Sequence, residues 1–152
     1  MKTKVRDAII TSSVVIMTLG LIGAIIPMNV TAQDTQDTSS TQTYKIEIHN
    51  QFNNPNEKMT HTETTKKGVE VKTDPPKTIK AGDKGSFEIE SKDIKSGELK
   101  VGYTIEKGQK VSFGFDSKGC FANTDPGVHS SHSGCYDKTM NFYFKEGGEP
   151  PQ

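Results

Sequence analysis

The chain has no tryptophan, a single arginine, two cysteines and no internal repeat among its 152 residues. It also lacks a helix-period stretch after residue 33, which excludes a helical bundle and the crossover helices that a parallel sheet requires. The arginine is Arg6, so every positive charge beyond the N-terminus is Lys or His, and bidentate guanidinium clamps on phosphate or carboxylate are absent. Basic and acidic residues balance at 19 each, and leaving out residues 1–32 makes the tally 16 against 18. That near-neutral balance excludes an electrostatic nucleic-acid binder. With 31% hydrophobic residues, the chain can build one modest domain once its ends are set aside.

What is present begins with an address. Lys2, Lys4 and Arg6 precede an apolar run over 8–27, and Val30-Thr31-Ala32 supplies a small-residue site before Gln33. This is the order of a secretory signal, in a style that suggests a Gram-positive bacterium, with cleavage expected after Ala32. The run is also long enough to span a bilayer, so an uncleaved anchor over 8–27 is the alternative to a secreted protein. Residues 33–43 are polar and low in complexity and read as a flexible leader. The folded domain is expected over 44–147, with 148–152 as a tail.

Inside that domain, apolar and polar residues alternate. Tyr44, Ile46 and Ile48 mark a first strand, and "MTHTETT" and "GVEVKT" are two weaker ones. Phe87 and Ile89, then Leu99, Val101, Tyr103 and Ile105, then Val111, Phe113 and Phe115 form three consecutive segments. Met140, Phe142 and Phe144 mark the last strand. Period two means one buried and one wet face per strand. The short breaks "KDIKSG" and "KG" predict that the three central segments form an antiparallel meander. Parity requires an odd loop in the second hairpin. A loop of Lys107, Gly108 and Gln109 pairs Tyr103 with Phe113 inward and Gly102 with Gly114 outward, unless a bulge shifts it. Seven or eight short strands make a single antiparallel β-sandwich the expected fold class.

Cys120 and Cys135 in an exported chain predict one disulfide, worth on the order of 3 kcal/mol for a loop of this length. The segment they enclose, "SKGCFANTDPGVHSSHSGCYDK", is the least strand-like part of the domain. His129, His132 and Asp125 within it are the candidate metal ligands, against a zinc-finger spacing that does not fit and a loop without fixed geometry. Ser130 or Ser133 with a nearby His and Asp125 has the residue types of a hydrolytic triad, but no nucleophile elbow is present. No cofactor and no enzymatic activity are expected. Gly facing Gly at 102 and 114 would leave a bare patch or mark a bulge. Phe52, Phe121 and Tyr136, placed on loops, are the candidate lipid or surface contacts.

The succession "IEIHN", "PPKTIKAGDKGSFEIES", "SGELKVGYTIEKGQKVSFGFD" and "NFYFKEG" resembles the small secreted β-sandwich cytolysins of the aegerolysin and actinoporin-like groups. The resemblance spans Tyr44 to Gly147. It implies a monomeric sandwich that binds membrane lipid through loop aromatics, in some members forming pores or acting with a partner protein. Here the membrane-facing tryptophans of those groups are absent, and residues 33–43 have no apolar face for an N-terminal helix. The resemblance therefore implies surface binding without a pore formed by this chain alone. The expected function is an exported, cytolysin-like or virulence-associated binding protein whose partner is membrane lipid or a cell-surface protein. An immunoglobulin-like adhesion module is the first alternative and a metal-binding protein built on His129 and His132 the second.

Overall fold

The computed structural model describes residues 40–148. The expected signal, most of the expected leader and most of the expected tail lie outside the described residues.

Ten strands form two five-stranded sheets. The first contains β1 (Gln42–Asn50), β3 (Glu70–Val71), β5 (Lys84–Ser91), β9 (Val128–Ser133) and β10 (Thr139–Glu146), in the order β3-β5-β1-β10-β9. The second contains β2 (Met59–Lys67), β4 (Thr78–Ile79), β6 (Glu98–Ile105), β7 (Lys110–Asp116) and β8 (Gly119–Thr124), in the order β4-β2-β6-β7-β8. The fold is the expected β-sandwich with more, shorter strands. β1 takes in Gln42 and Thr43, which the sequence assigns to the leader.

The inward side chains of both sheets make one core. Ile46, Ile48, Phe87, Ile89, Val101, Phe113, Phe115, Met140, Phe142 and Phe144 are all within 1% of full burial. Phe113 of the second sheet meets Phe142 and Phe144 of the first, with ring centroids 4.6 and 5.7 Å apart. Each such ring contributes roughly 2–3 kcal/mol of burial, the main force holding the layers together. Tyr103 completes the layer: burial pushes its phenol well above the ordinary range, and its hydroxyl donates to the Pro76 carbonyl at 2.8 Å.

Three sequence expectations are corrected. First, β5 does not pair with β6. A 3₁₀ turn over Ile94–Ser96, capped by the Asp93 carboxylate and plugged by buried Ile94, carries the chain from one sheet to the other. Only β6 and β7 form the expected hairpin. Second, their loop is Glu106-Lys107-Gly108. Gly108 donates to the Ile105 carbonyl at 2.7 Å and adopts φ +87, the left-handed residue that closes a three-residue hairpin. Tyr103 thus pairs with Val111, and Gly102 faces Ser112 while Gly114 faces Lys100. The shift spans two positions, so every side chain keeps its face. Third, the segment after Asp116 holds two strands, β8 and β9, which end the two sheets side by side. β1 and β10 pair in parallel, the exception in an otherwise antiparallel sandwich.

The disulfide joins these two edges. Cys120 lies on β8 and Cys135 just beyond β9, with Cα atoms 5.7 Å apart. Thr124 donates to the Val128 carbonyl and Ser130 to the Ala122 carbonyl, so two hydrogen bonds cross the same seam.

Candidate functional site

The candidate lipid contacts do not form a membrane face. Phe52 is 4% exposed and belongs to the core. The buried Asn50 carboxamide donates to the Glu57 and Ile79 carbonyls and accepts from the Phe52 N–H, folding the β1–β2 loop back over the sandwich. Tyr136 adopts φ +62, stands edge-on to Phe115 and donates its hydroxyl to the Asp116 carbonyl, so it is a clasp under the disulfide. Phe121 lies on β8, half-buried beside Lys66, Lys67 and Lys100.

The metal reading is corrected by strand geometry. His129 and His132 sit three apart on β9, and an odd offset in a strand sends the two imidazoles to opposite faces. Asp125 is engaged with the Lys110 N–H at 2.8 Å. No group of three His, Cys, Asp or Glu suited to a metal occurs among the described residues. Ser130 is turned toward the Ala122 carbonyl rather than a histidine.

Gly102 and Gly114 do not make a joint bare patch, because the register separates them. Each has its own reason. A Cβ on Gly114, at φ +157, would lie 1.8 Å from the Leu99 carbonyl oxygen. One on Gly102 would meet Glu63 Cγ at 2.9 Å and Thr62 Oγ1 at 3.0 Å. β2 bulges between His61 and Glu63, so two consecutive residues lean over the same outward glycine.

This bulge forms one wall of an open depression of about 470 Å³ on the outer face of the second sheet. Gly102 and Ser112, paired across β6 and β7, are its floor. Thr62 and Thr104 bring hydroxyls, and Asn123 on β8 brings a carboxamide. Glu63 and Lys100 pair at 3.2 Å on one side, and Lys110 and Asp125 stand on the other, so the lining charges cancel. Period two explains the composition: on the wet face of β6, β7 and β8, Gly102, Thr104, Ser112 and Asn123 lie between the core residues, with Lys100 and Lys110 beside them. Gly102 and Asp125 were legible as candidates. The bulge residues Thr62 and Glu63 carry no sequence signal, since alternation cannot reveal where a strand gains a residue.

No family model matches the sequence, and no curated protein matches it. Among solved structures, the chain is similar to RahU protein, crystallised in complex with a Tris molecule, at TM-score 0.45 and 10% identity, over 72% of this chain and 98% of that one. It is also similar to lectin XCL of Xerocomus chrysenteron, at TM-score 0.40 and 10% identity, over 68% of this chain and 99% of that one. A likeness at this level carries no ligand over to this chain.

Proposed function

We propose that this is an exported, non-enzymatic binding protein that acts at a cell surface by holding a neutral, hydroxyl-rich ligand, a saccharide, against the outer face of its second sheet. The observation that carries this reading is the Gly102–Ser112 floor. Thr62 and Glu63 already cover Gly102, so a ring would lie over Ser112, the small side chain of that floor, while the hydroxyls of Thr62, Thr104 and Ser112 and the Asn123 amide surround it with donors and acceptors. The volume, about 470 Å³, falls in the range of small-molecule sites, about 300–1,000 Å³. Balanced charges favour an uncharged ligand, since an ionic one would face both signs at once.

A second reading, lipid binding, rests on Phe121. This half-buried aromatic lies beside Lys66, Lys67 and Lys100, which would attract an anionic headgroup, but Glu98 and Asp116 share the lining and Lys67 and Lys100 are paired with Glu98 and Glu63. The withdrawal of Phe52 and Tyr136 leaves that reading with a single aromatic, and it is the weaker of the two.

Parallel assays on the purified protein separate them: binding to an array of neutral glycans, and co-sedimentation with liposomes of varied composition alongside dye release. Glycan binding without co-sedimentation supports the saccharide reading. Lipid-selective sedimentation without glycan binding overturns it in favour of the membrane.

A further inference from the structure

The outer face of the first sheet carries a different arrangement. The parallel pairing of β1 with β10 sets His49 opposite Tyr143, and β9 sets Ser131 on the other side of Tyr143. His49 stacks on the Tyr143 ring, with centroids 4.4 Å apart and planes 22° from parallel. His49 Nε2 lies 3.0 Å from Asn141 Oδ1, which holds the imidazole in place. One row away, Glu47 is 9% exposed, and its carboxylate is held by Lys45 at 2.6 Å and Lys84 at 3.4 Å. The Glu47 carboxylate is therefore already neutralised, and the Tyr143 ring is fixed from one side.

Beside Tyr143 lies a hollow of about 340 Å³, lined by Gln51, His129, Ser130, Ser131, Tyr143 and Lys145. Lys145 and His129 face each other across β10 and β9. No carboxylate belongs to this lining, and among the described residues Lys145 is in no ion pair with an acid. Ser130 gives its hydroxyl proton to the Ala122 carbonyl, and Gln51, His129, Ser131, Tyr143 and Lys145 each bring a side-chain group able to donate a hydrogen bond. A concave site with several donor side chains and a cation at its rim complements an anionic, oxygen-rich group, and a fixed aromatic wall complements the C–H face of a sugar ring.

We infer that this hollow is a second binding site, for the carboxylate-bearing ring of an acidic saccharide. Lys145 and His129 take the carboxylate and Tyr143 stacks on the ring. The site is separate from the depression on the second sheet and stands or falls without it. With both, the sandwich holds a ligand on each of its outer faces and can bridge two chains of a surface polysaccharide.

The test is a set of amide chemical-shift titrations on the isotope-labelled protein with four probes: glucuronate, glucose, acetate and glycerophosphoserine. Glucuronate is expected to move the resonances of Ser131, Tyr143 and Lys145. Acetate should do so about tenfold more weakly and glucose not at all, a ratio set by one lost set of ring contacts or one lost charge-assisted contact. Lys145→Gln should weaken glucuronate about tenfold, while Lys118→Gln, which removes the same charge at the β7–β8 turn, should stay within about twofold. Equal effects of acetate and glucuronate would reduce the site to an anion hole and overturn the saccharide assignment. Equal losses in the two lysine variants, glucose binding as well as glucuronate, no shift at these residues, or glycerophosphoserine alone moving them would overturn it as well.

Discussion

Lys107, at the tip of the β6–β7 turn, closes over Glu57: its Nζ lies 2.6 Å from a carboxylate whose side chain is 2% exposed. Both Glu57 oxygens are enclosed and neither receives another well-aligned hydrogen bond. The pair ties the β1–β2 loop to the hairpin, and Glu57 holds the Lys107 ammonium above its ordinary value of 10.5, through its hydrogen bond and its charge. A base whose folded value is raised stabilises the fold below its ordinary value and loses that contribution as pH rises through the folded one. Lys107→Met should therefore destabilise at neutral pH by more than Glu57→Gln, because only the first strands a buried charge. Chemical denaturation of the two variants checks this, and equal losses would contradict it.

Breaking the Cys120–Cys135 bond frees a loop with a sequence separation of 15. Chain entropy alone makes the double Cys→Ser variant about 3 kcal/mol less stable. The seam between β8 and β9 should loosen first, since Tyr136 and the two seam hydrogen bonds depend on it. Hydrogen exchange with and without reductant should show protection lost at 119–136 before the β1–β10 pair. Uniform loss across both sheets would argue against a local staple.

Two glycines should respond very differently to a methyl group. Gly114→Ala places a carbon 1.8 Å from the Leu99 carbonyl oxygen, and the backbone shift it forces costs about 3 kcal/mol or more. Gly82 has φ +80 with nothing within 4 Å, so Gly82→Asn should cost no more than about 1 kcal/mol. Thermal unfolding of the pair measures the contrast.

Glu47 links stability to acid. The Lys45 hydrogen bond is the largest influence on its carboxyl and, with Lys84, holds it below its ordinary 4.5 against the opposing effect of burial. A depressed acid contributes stability that is complete above its unfolded value and lost as pH falls through the folded one. Stability should therefore decline below about pH 4.5, and Glu47→Gln should flatten that decline while lowering stability at pH 7 by about 1 kcal/mol. An unchanged acid limb in the variant would contradict this.

Alternation alone assigned the inward sets of β1, β5, β6, β7 and β10, because their core residues are large and the polar residues between them are unmistakable. It missed β8 and β9, whose inward positions are Cys120, Ala122, Thr124, Val128 and Ser130, too small and polar to show a period. The switch between sheets after β5 was hidden because "KDIKSG" has the composition of a hairpin loop, and only the Asp93 cap makes it a crossover. The parallel β1–β10 pair joins the two ends of the domain and leaves no local trace. The stacking of His49 on Tyr143 was illegible for the same reason. At the second sheet, Gly102 was visible as an outward glycine, but its true partner depended on which residue of the tight turn occupied the left-handed position.

The central claim, that the Gly102–Ser112 floor receives the ligand, is tested most directly by Ser112→Leu. Ser112 points outward, away from the core, so a leucine there fills the depression without disturbing the sandwich. Titration calorimetry with the tightest-binding neutral glycan from the array should show affinity reduced by about tenfold or more, with the unfolding midpoint nearly unchanged. Undiminished binding in a folded Ser112→Leu protein would contradict the account and move the ligand elsewhere on the surface.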